Sequence, residues 1–429
     1  MKIAFIIQRY GAEVLGGSEH LCRLVAERLA ATHDVDVITT CARDYVTWKN
    51  EYAEGADRVR GVTVRRFPTA ATRDIDAFNK YSDWIYANAH SHADEMSWLK
   101  QQGPWAPALI DYLKRSHQQY DVLIFFTYLY ATTVLGLEVA PHRSILVSTA
   151  HDEPAIRLEI FKDVFRKPAA LCYLTESERE FVQARFVERP LLEEVVGVGV
   201  DLPQQQPYPR MPERPPDDDG PPPAGNGGSA DEEPQAREFP SHLLARGAVF
   251  RRRHRLYGPI VLYGGRIDPG KGCEELIQYF SEYVKEGGDA ALALMGVKLM
   301  ALPEEPFIRF AGLLSERERL QALEAATVVV CPSPYESLSL LALESLSVGT
   351  AVLVNARSAV LVEHAIRSNG GLWYADRDEF VEALKLLIGD EALRRALGRN
   401  GREYVRRHYR WDVVLGKYER LFAKIRNAR

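Results

Sequence analysis

The chain has 429 residues, of which 46% are hydrophobic and 26% charged, and its formal net charge is -5. A single hydrophobic core stops growing near about 250 to 300 residues, so this length predicts two domains with a cleft between them. The composition is typical of a globular protein, and the negative charge argues against a nucleic-acid partner, which would require a basic surface.

The first 200 residues alternate between short β-branched runs and segments with helical periodicity. Strands are predicted at residues 3–7, 35–39, 62–67, 122–127, 145–149, 171–174 and 195–198. Helices are predicted over about 18–31 and after the capping box at residues 175–178. This βαβ rhythm predicts a doubly wound α/β domain over residues 1–200.

The composition then changes over residues 203–246, which are rich in proline, glycine and acidic residues. Such a segment cannot bury enough apolar surface to offset its ordering entropy, so it is predicted to be a disordered linker or insertion rather than a docking site. Strands are predicted again at 260–263, 291–295, 328–331 and 351–354, which indicates a second α/β domain over residues 256–408. An amphipathic helix over about 411–425 is predicted within the final segment, residues 409–429.

Two glycine-containing loops each follow a predicted strand and precede a helix. The first contains Gly16 and Gly17, whose backbone amides suit an anion at the positive end of a helix, although a tight turn without a ligand explains them equally well. The second contains Arg266 and Lys271 on either side of Pro269–Gly270. Because an arginine can bond two phosphate oxygens and a lysine adds a mobile charge, this loop is typical of a diphosphate site rather than of two solvated cations.

The strongest motif follows the strand at residues 328–331 and contains two carboxylates, Glu336 and Glu344, eight positions apart. At about 100° per residue, they would lie about 80° apart in helical projection and face one ligand. Carboxylates suit sugar and ribose hydroxyls, whereas the free amides near Leu340 suit phosphate. Taken alone, Glu336 is better explained as part of a helix cap and Glu344 as a half-buried helix acid.

These motifs together resemble the donor site of family 4 glycosyltransferases with the GT-B fold. The resemblance covers nearly the whole chain apart from the proline-rich segment. It implies an α/β architecture of two facing Rossmann-like domains, with a C-terminal helix that crosses back to the N-terminal domain. The N-terminal domain would form the acceptor side, and the C-terminal domain would bind the nucleotide sugar.

The resemblance also implies roles for individual residues, with Glu336 and His151 as the catalytic pair. His151 follows a first-domain strand, and on its own it is equally well explained as a hydrogen-bonded loop residue. The family often has glycine where this chain has Ser339, which puts the identity of the donor sugar in question. The residues implied to bind the donor are Gly16, Gly17, Arg266, Lys271, Ser339, Leu340 and Glu344.

The implied activity is transfer of a hexose from a nucleotide-diphosphate sugar with retention of anomeric configuration, as in cell-envelope polysaccharide biosynthesis. No cofactor or metal is expected, because no Asp-x-Asp cluster lies where Mg²⁺ would meet the phosphates. The expected acceptor is a saccharide or a polyprenyl-linked saccharide. Aromatic residues between 78 and 105 suit a sugar ring, but ordinary packing is the preferred explanation.

Two other functions share these motifs: a nucleotide-sugar epimerase of similar fold and a catalytically silent GT-B binding subunit. A dehydrogenase is disfavoured because the GxGxxG fingerprint is absent. The sequence has no apolar run long enough for a bilayer, no signal-peptide core and five scattered cysteines, so a cytoplasmic protein is expected. The basic run at residues 251–255 suggests peripheral contact with the inner face of the cell membrane, although a solvated face is the preferred interpretation.

Overall fold

The computed structural model describes residues 1–14, 16–186, 192–202 and 246–427. Most of the predicted linker, residues 203–245, and the last two residues of the C-terminal segment lie outside the described residues. The described chain contains two mostly parallel sheets, one in each half of the sequence. This confirms the predicted two-domain α/β architecture.

The first domain is an eight-stranded sheet, within the described residues, in the order β3-β4-β2-β1-β5-β6-β7-β8. All neighbouring strands are parallel except β3 and β4. Its strands are β1 (Lys2–Ile6), β2 (Asp34–Thr40), β3 (Gly55–Val59), β4 (Val62–Phe67), β5 (Val122–Phe126), β6 (Ser144–Val147), β7 (Ala170–Tyr173) and β8 (Leu192–Val195). Its helices are α1 (Gly17–Leu29), α2 (Ile75–Ala87), α3 (His92–Gln102), α4 (Pro107–Ser116), α5 (Ala131–Leu137), α6 (Ile160–Arg166) and α7 (Glu176–Arg185).

The second domain is a six-stranded parallel sheet, within the described residues, in the order β11-β10-β9-β12-β13-β14. Its strands are β9 (Ile260–Gly264), β10 (Ala291–Met295), β11 (Ile308–Gly312), β12 (Val328–Cys331), β13 (Val352–Asn355) and β14 (Gly371–Tyr374). Its helices are α8 (Arg246–His254), α9 (Cys273–Lys285), α10 (Glu316–Ala325), α11 (Leu340–Val348), α12 (Ala359–Ser368), α13 (Arg377–Gly389) and α14 (Glu391–His408), and α15 (Trp411–Asn427) follows.

The central strands are continuous apolar runs because helices cover both faces of each sheet. Every residue of β5 (VLIFF) and of β12 (VVVC) is buried. A strand that is buried on both faces has no solvent side on which polar residues could alternate, which is why these strands are easy to predict from sequence. The five cysteines are all buried and free.

Two chain segments join the domains. Residues 196–202 leave the first sheet, and there Val200 N–H donates to Tyr409 O across 2.7 Å. Helix α15 crosses back, and Lys417 Nζ donates to Val195 O at 2.9 Å, while the Arg28 guanidinium lies 4.8 Å from the Trp411 ring. The C-terminal helix therefore packs on the first domain, as predicted.

One local prediction differs from the structure, and two further segments agree with their preferred interpretations, packing for the aromatic residues and a mainly solvated face for the basic run. The strand predicted at 195–198 ends at Val195, because Gly197 has a φ of +66° and turns the chain toward the second domain. The aromatic stretch after β4 forms helices α2 to α4, in which Phe78 and Trp98 pack together inside the domain, with ring centroids 5.6 Å apart. The basic run belongs mainly to α8, where Arg251 Nη2 donates to Ala325 O at 2.6 Å.

Candidate functional site

The candidate site lies where the strand order of each sheet reverses. In the second domain, β9 is the first strand of the sheet in sequence, and it lies between β10 and β12. In the first domain, β1 lies between β2 and β5. Loops at the carboxyl ends of such neighbouring strands diverge to opposite faces of the sheet and leave a crevice that accepts ligands. The Arg266–Lys271 loop, the Glu336 loop and the Gly16–Gly17 loop all leave strands at these reversal points.

The loop after β9 is held tightly against the loop after β12. Asp268 Oδ1 accepts a hydrogen bond from Lys271 N–H at 2.9 Å and closes a short turn. Gly272 then has a φ of +74°, and a Cβ on this residue would lie 2.4 Å from Pro332 O. Only glycine permits both this backbone conformation and this close approach to Pro332 O. Gly272 therefore allows the two loops to lie against each other.

Contact between the two loops joins the predicted cation and the predicted catalytic carboxylate. Lys271 Nζ lies 2.8 Å from Glu336 Oε1, and both side chains are partly exposed. Arg266 is 43% exposed, and its Nε lies 3.5 Å from Asp268 Oδ2, which is too long for a strong hydrogen bond. The Arg266 guanidinium is therefore only loosely held and accessible to an anion.

Helix α11 begins beyond Glu336, at Leu340, so the 80° helical relation between Glu336 and Glu344 does not apply. Ser339 is the N-cap residue, and its φ of +62° breaks the helical geometry between the two carboxylates. Its hydroxyl accepts from Ala342 N–H at 3.4 Å. Since a left-handed residue is easiest for glycine, this backbone explains why the similar family often has glycine here. Leu340 is the first residue of the helix, where backbone N–H groups lack intrahelical acceptors.

Glu344 lies deeper in α11 and is paired with a residue that the sequence analysis did not identify. Its Oε1 is 2.7 Å from Arg319 Nη2 of helix α10. Burial raises the pKa of Glu344 to about 7, although Arg319 opposes this shift; Glu316 and Asp201 add to it. The site is therefore a buried carboxylate with one cationic partner. Arg319 falls within a charged helix segment, Glu316–Leu320, and only the three-dimensional contact distinguishes it from its neighbours.

The glycine pair lies at the start of α1, on the opposite side of the cleft, with Gly16 as the N-cap residue and Gly17 as the first residue of the helix. A Cβ on Gly16 would lie 2.1 Å from Glu19 Oε2, and Glu19 is paired with Arg9 at 2.6 Å. Gly16 is therefore required by its own domain, whereas a Cβ on Gly17 would meet nothing within 4 Å. Gly16 gives no side-chain cap to α1, so the first turn of α1 presents its backbone N–H groups at the cleft.

His151 reaches toward the loop that contains Glu336. Its ring centroid lies 6.2 Å from that of Tyr335, which is the residue before Glu336. Its Nε2 lies 3.7 Å from Glu153 Oε1, and Glu153 accepts a hydrogen bond from Tyr128 OH at 2.5 Å. Nδ1 of His151 is buried without a hydrogen-bond partner among the described residues. The structure thus brings His151 to the second domain, next to the predicted catalytic glutamate.

Within residues 1–14, 16–186, 192–202 and 246–427, no group of three or more His, Cys, Asp or Glu side chains is arranged to hold a metal ion. The metal-free chemistry remains a prediction. Likewise, no helix in the part of the chain that the structure describes is long and apolar enough to cross a bilayer.

Sequence comparison supports the assignment of the second domain. Residues 249–404 match the family model of glycosyl transferases group 1. A GDP-mannose-dependent phosphatidylinositol monomannoside mannosyltransferase of Corynebacterium glutamicum is 23% identical over 36% of this chain and 45% of that protein. The alignment therefore spans less than half of this relative's length. A glycogen synthase of Mycobacterium tuberculosis is 24% identical over 96% of this chain and 92% of its own.

Solved structures match the whole architecture. Sucrose-phosphate synthase from Thermosynechococcus elongatus has a TM-score of 0.66 at 17% identity and covers both chains completely. Anabaena HepE in complex with UDP and glucose has a TM-score of 0.66 at 14% identity, over 99% of this chain and 100% of that one. Residues 249–404 are thus similar to the group 1 glycosyl transferases, within a chain whose two domains and C-terminal helix have the GT-B fold.

Proposed function

We propose that the protein transfers a hexose from a nucleotide-diphosphate sugar to a saccharide or lipid-linked saccharide acceptor. The observation that supports this most directly is the 2.8 Å contact between Lys271 and Glu336, at the strand-order reversal of the second domain. It joins a cation suited to phosphate with a carboxylate suited to sugar hydroxyls. Relatives named for mannosyl transfer and glycogen synthesis are 23% and 24% identical to this chain over their aligned parts.

The donor diphosphate would bind between Arg266 and Lys271. These two cations, together with the uncapped first turn of α1, stabilise the negative charge that develops on the leaving diphosphate. Stabilising this charge lowers the barrier in proportion to how much more charge the transition state carries than the bound donor. In this mechanism the protein's own cations perform the role that a metal ion performs in other phosphate sites.

Glu336 and Glu344 would orient the two ends of the donor. The Glu336 carboxylate accepts hydrogen bonds from the transferred sugar, and the buried Glu344 carboxylate accepts them from the ribose. His151 lies on the opposite wall, where it contacts the sugar or the arriving acceptor. The acceptor hydroxyl would attack the anomeric carbon on the face that the diphosphate leaves, which gives retention of configuration.

Product analysis after incubation with UDP-glucose, GDP-mannose or ADP-glucose tests this proposal. We expect slow release of nucleoside diphosphate and free sugar from one donor alone. When a saccharide acceptor is added, nucleoside diphosphate should be released faster and the sugar should appear bound to the acceptor. Formation of an isomeric nucleotide sugar would instead identify an epimerase. Absence of turnover with tight nucleotide binding would identify a silent binding subunit.

The variant Glu336→Gln provides the matched test of the site. It keeps the size of the side chain but removes its charge, so donor turnover should fall by about 100-fold or more, comparable to the loss of other preorganised groups in a site. Circular dichroism should show unchanged folding. Unchanged turnover in this variant would remove Glu336 from the catalytic site.

A further inference from the structure

Helix α12 of the second domain contacts the first domain through a buried carboxylate. The Glu363 side chain is 8% exposed, and its two oxygens accept hydrogen bonds from the first turn of α7. Ser177 N–H donates to Oε2 at 2.7 Å, and Glu176 N–H donates to Oε1 at 3.3 Å. A carboxylate at a helix N-terminus satisfies amides that have no intrahelical acceptor and interacts favourably with the helix dipole.

The charge of Glu363 is maintained although the residue is buried. Burial raises its pKa, but hydrogen bonds from Ser177 and from Arg367 outweigh this effect, and the pKa of Glu363 lies below its usual value. Arg367 Nη1 lies 2.8 Å from Oε1 on the exposed side of the helix. Glu363 is therefore an ionised contact between the domains.

The next residue, His364, holds the loop that contains Glu336. It is fully buried, and its Nε2 lies 2.7 Å from Leu338 O, two residues after Glu336. Since a carbonyl oxygen can only accept, Nε2 carries the proton. Burial lowers the pKa of His364, so the ring is neutral and its Nδ1 accepts from Tyr404 OH at 3.1 Å.

Helix α7 continues the connection to the His151 loop. Glu178 is buried, and its carboxylate accepts hydrogen bonds at 2.6 Å from Ser148 OH, Ala150 N–H and Leu174 N–H. Ser148 and Ala150 are on either side of Thr149, whose φ is +50°. The loop that presents His151 is thus fixed by the same helix whose first turn Glu363 contacts.

We propose that Glu363 and His364 are positioning residues, which align the His151 loop of the first domain with the Glu336 loop of the second. Adjacent residues on a helix point about 100° apart, so one side chain can hold each domain. This inference rests on the proposed function for its effect on catalysis, but its structural part does not.

The test compares Glu363→Ala with a control, Arg367→Ala, which removes the exposed ion pair and leaves the contact with α7 in place. We expect Glu363→Ala to lower kcat for donor turnover by about tenfold to 100-fold, because small misalignments of reacting groups have effects of this size. The dissociation constant for UDP or GDP should change by less than about twofold, since the cations that bind the diphosphate lie within one domain. Arg367→Ala should retain wild-type kcat.

A second readout does not depend on activity. The five native cysteines are buried, so cysteines introduced at the exposed positions Lys114 and Glu382 can be labelled selectively with a donor and acceptor dye pair. In Glu363→Ala, the distribution of interdomain distances should be broader than in the wild type and in Arg367→Ala. An unchanged distance distribution in Glu363→Ala would overturn the inference. An unchanged kcat in this variant would also overturn it, provided that the wild type turns donor over. Absence of turnover in the wild type would contradict only the proposed function.

Discussion

Among the individual residues, Glu344 has the most unusual electrostatic environment of the candidate site. A buried carboxylate with a single cationic partner keeps its proton to a higher pH than an exposed one. The pKa of about 7 means that Glu344 titrates near neutral pH. Arg319, at 2.7 Å, favours the ionised form. Ribose recognition by this carboxylate should therefore depend on pH, and Arg319 should influence the pH at which Glu344 ionises.

We predict that affinity for UDP or GDP rises as the pH increases through about 7, because the ionised carboxylate is the stronger acceptor for ribose hydroxyls. Arg319→Ala should move this midpoint upward, since its positive charge lowers the pKa of Glu344. Calorimetric titration between pH 5.5 and about 8.5 would measure the effect within the range where the group ionises.

Glu344→Gln serves as the control for this prediction. The diphosphate also titrates near this range, and its contribution is common to all variants, so subtracting the glutamine profile isolates Glu344. Identical pH profiles for the wild type and Glu344→Gln would contradict the assignment of Glu344 to the nucleotide site.

The raised pKa of Glu344 also makes the stability of the folded protein depend on pH. The pKa of Glu344 is raised above its usual value, so the folded state binds more protons than the unfolded state between about pH 4.5 and 7. Stability contributed by this group is present below the unfolded pKa and is lost as the pH rises through the folded pKa. A binding site that is useful at neutral pH is thus maintained at the expense of stability.

At the scale of secondary-structure elements, the turn before α9 determines the geometry of the site. Gly272 combines a left-handed φ with a close approach to Pro332 O, and the approach brings Lys271 to Glu336. Gly287, just after the same helix, has a φ of +88° but open space around its Cβ position. Substitution of Gly287 therefore tests backbone strain alone, whereas substitution of Gly272 tests backbone strain together with the contact between the loops.

We predict that Gly287→Ala loses about 1 to 2 kcal/mol of stability, because an L-residue is strained in the left-handed region. Gly272→Ala should lose more, because its Cβ would also lie 2.4 Å from Pro332 O. Only Gly272→Ala should also lose affinity for UDP or GDP, since its Cβ would force the two loops apart. Urea unfolding would measure the first effect, and calorimetric titration the second. Equal nucleotide affinity for the two variants would show that the approach at Pro332 has no part in the donor site.

An element can be predicted from the sequence when a local pattern of residues specifies it. Strands such as β5 and β12 are apolar runs that are buried on both faces, so the sequence alone predicts them. Residues 75–116 form three helices that were not predicted, although the N-cap residue Asp74, the capping box at Ser91 and Asp94 and the proline at the start of α4 mark them in the sequence. Gly197 ends the predicted strand at 195–198 through a backbone conformation that periodicity does not report.

For the site, the sequence predicts which loops carry the chemistry, because glycines, cations and carboxylates stand out at the ends of strands. It does not predict pairwise contacts between distant segments. Arg319 beside Glu344 becomes visible only when α10 packs against α11 within the second domain. Tyr335 facing His151 and Glu363 at the start of α7 become visible only when the two domains are placed together. Ser339 is intermediate, since its departure from glycine is readable but its left-handed φ is not.

At the scale of the whole molecule, each domain contributes one wall of the cleft. The strand order reverses within each sheet, at β1 in the first domain and at β9 in the second. The second domain contributes Arg266 and Lys271, the cations proposed to bind the diphosphate, and the first domain contributes His151 and the N-terminus of α1. The segments at 196–202 and α15 cross between them. Such an arrangement favours binding of a ligand that has two chemically different ends, as a nucleotide sugar has.

The most direct test of this account is calorimetric titration of the wild type and of an Arg266→Ala/Lys271→Ala double variant with UDP, GDP and ADP, with Lys285→Ala as a control for an exposed lysine of the same domain. We predict that at least one nucleoside diphosphate binds the wild type and the control equally. The double variant should bind it about 100-fold more weakly or worse, the loss expected when two charge-assisted hydrogen bonds worth about 1.5 to 3 kcal/mol each are removed. Undiminished binding by the double variant, or no binding of any of the three by the wild type, would contradict the account.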